Sequence, residues 1–212
     1  MNLLYHGDCL NIIKDISDKS IDLIYTDLPF GTINAKWDNI IPFDKLWEQY
    51  ERIIKDDGVI SLHATQPFTT DLINSNRKLW RYNWFWEKTK NKGANFMNAK
   101  NCPIKIIEEI CIFSKNKIKH VGLKDRLRYN PQNLIECNKE VKGDRKSKAG
   151  TNDINFSRPS LKAKYVREFT NYPSNLLTFK HEKYDSGLHS TQKPLALCEY
   201  IIKTYTNEGD IV

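Results

Sequence analysis

Residues 21–31, IDLIYTDLPFG, join a strand to its own stop signal. Ile21, Leu23, Ile24 and Tyr25 have the run length of a buried strand, and Pro29 and Gly31 prevent that strand from continuing. Asp27 therefore stands at a strand's carboxyl end. In open α/β sheets the loops leaving that edge form the crevice where ligands bind, so Asp27 is a candidate functional acid. An Asp that merely organises its own turn by bonding to nearby backbone fits the same short pattern.

The flanking sequence makes the α/β reading the consistent one. Residues 2–8 read as a short strand, and CLNIIKDIS has helical spacing through Leu10, Ile13 and Ile16. The stretch from Pro42 to Gly58 places Leu46, Tyr50, Ile53 and Ile54 on one face between two end signals, which predicts an amphipathic helix. GVISLHA is a strand, FTTDLINSNRKL a helix, and IIEEICIFSK a further strand ending near Lys115. LWRYNWFWEK is a strand with Trp80, Tyr82, Trp84 and Trp86 on one side, a stripe suited to core packing more than to base stacking. Near the end, Leu195, Cys198, Ile201 and Ile202 form a helical stripe behind Pro194, and DIV opens another strand. Alternating strands and helices argue against a bundle or a β-sandwich.

With 212 residues and 40% hydrophobic content, the chain suits one domain, or one domain carrying an insertion. No apolar stretch approaches the roughly 20 residues that span a bilayer, and the N-terminus meets charge too early for a signal peptide, so a cytoplasmic location is expected. Cys9, Cys102, Cys111, Cys137 and Cys198 form no CxxC pair, which indicates neither a metal site nor a disulfide framework. The net charge of +7 favours polyanionic partners, and its placement sharpens the point. Between Lys139 and Arg167 nine Lys or Arg face three acids among Gly, Ser and Asn. Such a segment is either a solvated loop or a surface that neutralises phosphates.

The ordered set Gly7-Asp8-Cys9-Leu10, TDLPFG, NAKNCP, Glu108 ahead of ICIF, and HSTQKP at 189–194 resembles the amino-methylating DNA methyltransferases of the N6-adenine/N4-cytosine family. The match is to the permuted β-type arrangement found in phages and prophages, and it spans nearly the whole chain. HSTQKP is the most specific part of it, and DxPF alone is weak. Leu28 stands where many relatives carry a second proline, and Ile107 where relatives often carry a His before the Glu.

The resemblance implies a Rossmann-like S-adenosylmethionine-dependent methyltransferase sheet with helices on both faces. It implies a catalytic core over 1–115, a basic target-recognition insertion over 116–185, and a return to the core over 186–212. Asp27, Leu28, Pro29 and Phe30 would be catalytic: the Asp27 carboxylate and the Leu28 carbonyl accept the two hydrogens of an exocyclic amine, Pro29 stiffens the turn, and Phe30 stacks on the base. Asp8, Cys9 and Leu10 would sit beside the cofactor's adenine, with Thr191, Gln192 and Lys193 at its methionine end. Lys142, Arg145, Lys146, Lys148, Arg158, Lys162 and Lys164 would contact double-stranded DNA, in a bacterium or a phage-infected host.

The implied activity is methyl transfer to adenine N6 of a flipped-out base, chosen over cytosine N4 because the motif begins with an acid. The family's Gly-rich cofactor loop would follow the strand that GDIV starts, which leads to the expectation of a fragment, or of a complementing chain, with weak cofactor binding by these residues alone. A catalytically inactive DNA-binding remnant and one half of a split enzyme are the alternative readings, and a restriction endonuclease is a further candidate partner.

Overall fold

The computed structural model describes residues 3–89, 96–118, 125–142, 164–180 and 192–212. They form two compact units, one built from Met1–Asn130 with Ser174–Val212 and the other from Pro131–Pro173. The larger unit carries the strands β1 (Ile21–Asp27), β2 (Ile54–Ala64), β3 (Trp80–Thr89) and β4 (Ile107–Phe113). The smaller unit holds a two-stranded antiparallel ladder of β5 (Ile135–Lys142) and β6 (Lys164–Thr170), in which Lys139 lies opposite Arg167. Arg145, Lys146, Lys148, Arg158 and Lys162 lie outside the described residues, and of Lys142 and Lys164 only the backbone is described.

With β7 (Leu176–Lys180) the larger unit's strands make a five-stranded sheet in the order β1-β2-β4-β3-β7. The outer pairs β1–β2 and β3–β7 are parallel, and β4 runs antiparallel to both its neighbours. Alternation along the strands builds two cores. Ile60, Leu62, Cys111 and Phe113 face α2 (Phe43–Ile53) and α3 (Phe68–Ser75), packing with Leu46, Trp47, Phe68 and Leu72. Leu23, Val59, Ile110, Ile112, Trp84 and Trp86 face the opposite way, against Leu197, Ile201 and Tyr205 of α4 (Leu195–Tyr205). A sheet clad by helices on both faces is the expected α/β architecture.

Four local expectations are corrected. Residues 3–8 form no strand: Leu4 is 99% exposed, and among the described residues no backbone ladder is offered to this segment. The helix that follows is one turn, α1 (Cys9–Ile12), continued by a 3₁₀ turn over Ile13–Asp15. The helix expected to reach Gly58 stops at Ile53, because three of the next four residues are drawn to distant partners along an extended strand: Lys55 pairs with Asp22, Asp56 with Lys19, and Asp57 with Arg128. Trp80 leaves the aromatic stripe, since an irregularity between Trp80 and Tyr82 turns its ring to the α2/α3 core while Tyr82, Trp84 and Trp86 face α4.

The end of the chain meets the open edge of β1. Ile211 accepts backbone hydrogen bonds from Asp22 and Leu23 at 2.9 and 3.2 Å, without completing a ladder. Asp22, 2% exposed, receives the Ile211 N–H at 3.0 Å and the Lys55 ammonium at 2.7 Å. A buried carboxylate partnered this fully is a pinned one.

Candidate active site

β1 delivers Asp27 to its carboxyl end as the sequence reading expects, beside a cleft of about 760 Å³. Leu28, Pro29 and Phe30 line the same cleft, and so do Gln192 and Lys193 from the other end of the chain. Two motifs more than 160 residues apart in sequence thus share one wall; the contact pair Asp27–Lys193 is 166 residues apart. Thr191 lies outside the described residues.

A second acid sets the loop. Asp38 Oδ1 accepts the backbone N–H groups of Phe30 and Gly31 at 2.8 and 3.0 Å, and Oδ2 those of Thr32 and Ile33 at 2.7 and 2.8 Å. Burial by itself would raise this carboxyl, but the four donated N–H bonds hold it below the usual carboxylate range. Gly31 has φ +66°, and a Cβ there would come within 2.8 Å of the Ile40 side chain, so the wrap around Asp38 needs glycine at this point. The Phe30 ring packs against Phe68 at 5.2 Å between centroids, which fixes its plane beside Asp27.

The electrostatics centre on a string of alternating charges. Lys193 Nζ lies 2.6 Å from Asp27 Oδ2 and 3.5 Å from Glu108 Oε2, while Lys88 bonds to Glu108 Oε1. Desolvation in the cleft raises the Asp27 carboxyl above its ordinary value, with Lys193 opposing and Glu108 reinforcing that shift. Lys105 also lines the cleft.

Behind Asp27, its register partner His63 is 1% exposed and shares a 2.8 Å hydrogen bond with the Tyr25 hydroxyl. Burial, and then the Lys193 and Lys88 cations, push the imidazole well below its ordinary value, so it is neutral. Below about pH 6.5 the unfolded chain binds a proton that folded His63 refuses, so stability is lost as pH falls, by up to about 1.4 kcal/mol per unit. Denaturant titrations between about pH 5 and 7 should show that slope reduced in His63→Gln; an unchanged slope would assign the acid sensitivity elsewhere.

The three residues expected at the cofactor's adenine lie on and beside the first helical turn. Asp8 caps α1 through a 3.2 Å bond from the Asn11 N–H, Cys9 is exposed, Leu10 packs on the α2/α3 core, and none of the three lines the cleft. Asp38, Lys88 and Lys105 were not singled out by the sequence reading. For Asp38 the available signal is an acid seven residues after Gly31, across a loop rich in unpaired backbone donors.

The family model described as DNA methylase matches residues 21–212. The chain belongs to the DNA methylase family. Among curated relatives, the chain is 24% identical to the type II methyltransferase M.HpaI of Haemophilus parainfluenzae, over 97% of the chain and 60% of that protein. It is also 24% identical to the type II methyltransferase M.HinfI of Haemophilus influenzae, over 100% of the chain and 58% of that protein. The chain therefore spans about three-fifths of these relatives' length. Its fold is similar to that of PvuII DNA methyltransferase (cytosine-N4-specific), with a TM-score of 0.61 at 14% identity over 97% of this chain and 71% of that one. A complex of M1.HpyAVI with SAM gives a TM-score of 0.52 at 18% identity, over 97% and 78% of the two chains. The mixed sheet clad by helices is thus the fold of DNA methyltransferases.

Proposed function

We propose that this chain carries the target-base site of an S-adenosylmethionine-dependent DNA methyltransferase that methylates adenine N6 in duplex DNA. The observation that carries the reading is the meeting of the DLPF turn with Gln192 and Lys193 on one cleft, with Asp27 at its wall. An exocyclic amine is a poor nucleophile because its lone pair is delocalised into the ring. Two acceptors, the Asp27 carboxylate and the Leu28 carbonyl, take its two hydrogens, and the lone pair then points out of the ring plane. Attack on a methyl group follows as an in-line displacement in which positioning and hydrogen-bond polarisation lower the barrier.

Phe30 offers the base an apolar face, which an amine reaches only after the nucleotide is flipped out at a cost of a few kcal/mol. Asp38 keeps that ring and the acceptors in register. The raised Asp27 carboxyl suits an acceptor whose charge is poorly solvated and therefore strong towards N–H donors.

S-adenosylmethionine supplies an electrophilic methyl on a sulfonium. The donor set in the cleft fits its methionine end: Gln192 and Lys193 offer an amide and an ammonium for a carboxylate, next to the acceptor that faces the reacting amine. Thr191 completes that group in the proposal, and Asp8, Cys9 and Leu10 remain its adenine side. Contacts to the DNA backbone fall to Lys142, Arg145, Lys146, Lys148, Arg158, Lys162 and Lys164, where the basic composition supports phosphate neutralisation.

The acidic first residue of the motif favours adenine. Nucleoside mass spectrometry of unmethylated DNA incubated with the chain and S-adenosylmethionine should reveal N6-methyladenine. N4-methylcytosine alone would reassign the base, and neither product, with DNA binding retained, would favour the non-catalytic reading.

A further inference from the structure

The proposed reaction leaves one charge in an awkward place. Lys193 Nζ sits 2.6 Å from Asp27 Oδ2, the carboxylate that has to receive an amine hydrogen. An ammonium there weakens Asp27 as an acceptor. The structure also contains a place for that cation to go. Glu108 Oε2 is buried and accepts no hydrogen bond among the described residues, and it lies 3.5 Å from the same Nζ. A charge-assisted bond closes at about 2.7–2.9 Å, so the ammonium needs to move less than about 1 Å to make it. Lys88 secures the other Glu108 oxygen, and the carboxylate is 14% exposed, so it is held still and partly shielded from water.

We propose that Glu108 is a positioning residue for methyl transfer: it draws the Lys193 ammonium off Asp27 as the target amine arrives, leaving Asp27 free to accept. This inference rests on the function proposed above. No covalent bond or proton changes hands in the step. A Lys193 N–H bond passes from Asp27 Oδ2 to Glu108 Oε2, and an amine N–H of the base takes the vacated acceptor. The charged groups around the exchange are Lys88, Lys193, Asp27 and Glu108, with Lys105 on the cleft wall and the Tyr25 hydroxyl behind. Glu108 is thus a resting station for the cation and touches no reacting atom.

Two measurements on the full chain test it. In carbon-detected NMR titrations without DNA or cofactor, Glu108→Gln should lower the apparent pKa of Asp27, because the neighbouring negative charge that competes for Lys193 is removed. An unchanged Asp27 titration would overturn the shared cation whatever the enzyme's activity. In assays with tritiated S-adenosylmethionine at saturation and unmethylated bacterial DNA, Glu108→Gln should lower kcat about tenfold, the size of one charge-assisted hydrogen bond, with KM for the cofactor unchanged. Adding Lys193→Met to that variant should raise KM for the cofactor, whose carboxylate loses its ammonium, while kcat at saturating cofactor rises again, since the cation stranded on Asp27 is gone. A double variant no faster than Glu108→Gln, or a single variant with wild-type kcat, would overturn the proposal; transfer absent from the wild-type chain while the NMR coupling persists would instead overturn the functional reading beneath it.

Discussion

Replacing Asp27 with Ala should lower methyl transfer by about a hundred- to a thousandfold, the usual cost of deleting one preorganised polar group aimed at the reacting centre. In the proposed reaction the carboxylate polarises the amine without binding the cofactor, so KM for S-adenosylmethionine should hardly change. Asp27→Asn separates catalysis from folding. The folded carboxyl titrates above its ordinary value, so ionising it costs stability as pH rises through the window between the unfolded and folded values. The Asn variant escapes that cost and should melt no lower than the wild type at neutral pH while remaining slow. A variant that keeps most of the wild-type rate would remove Asp27 from the mechanism.

The second large effect belongs to Asp38. Its two oxygens satisfy four consecutive backbone N–H groups, from Phe30 to Ile33, and an Ala there strands all four donors in a loop that has no other described partner for them. The expected loss is about 2–4 kcal/mol, with water recovering part of the hydrogen bonding as the loop opens. For a chain of this size that corresponds to a fall in Tm of about 5–15 °C. Methyl transfer should drop together with it, because Phe30 and the Leu28–Pro29 turn lose their anchor. The wild-type contribution is present above the unfolded carboxylate range and disappears as pH falls through the lower folded value, so Asp38→Ala should also flatten the acid limb of the stability curve. A variant with native Tm would show that the turn is held by packing against Phe68 alone.

The strand carrying Asp27 was legible because two strong local signals, an apolar run and a Pro-Gly stop, agree with the tertiary structure. The helix through Leu46 and Tyr50 was legible for the same reason, and its end was not: Ile54 continues the helical stripe, while Lys55, Asp56 and Asp57 are recruited by partners distant in sequence. Trp80 shows the same limit from the strand side. Strict alternation puts it with Trp84 and Trp86, and a register irregularity that depends on the neighbouring strand reverses it. The N-terminal segment has the composition of a strand, yet strand formation needs a partner edge that composition does not report.

At the candidate site, DLPF and TQKP could be placed together only through a family resemblance, since nothing local connects Asp27 to Lys193. The charge string they join was invisible for a related reason. Lys88 and Glu108 sit on adjacent antiparallel strands, and the register that sets them beside Lys193 is a property of the sheet.

In the proposed reaction the Asp27 carboxylate and the Leu28 carbonyl together grip an extruded base amine. A crystal structure of the chain with duplex DNA and a non-reactive cofactor analogue tests it most directly. The account predicts an adenine N6 within about 3 Å of both oxygens, its ring over Phe30. A flipped base held elsewhere, with the Lys193–Asp27 pair undisturbed, would contradict it.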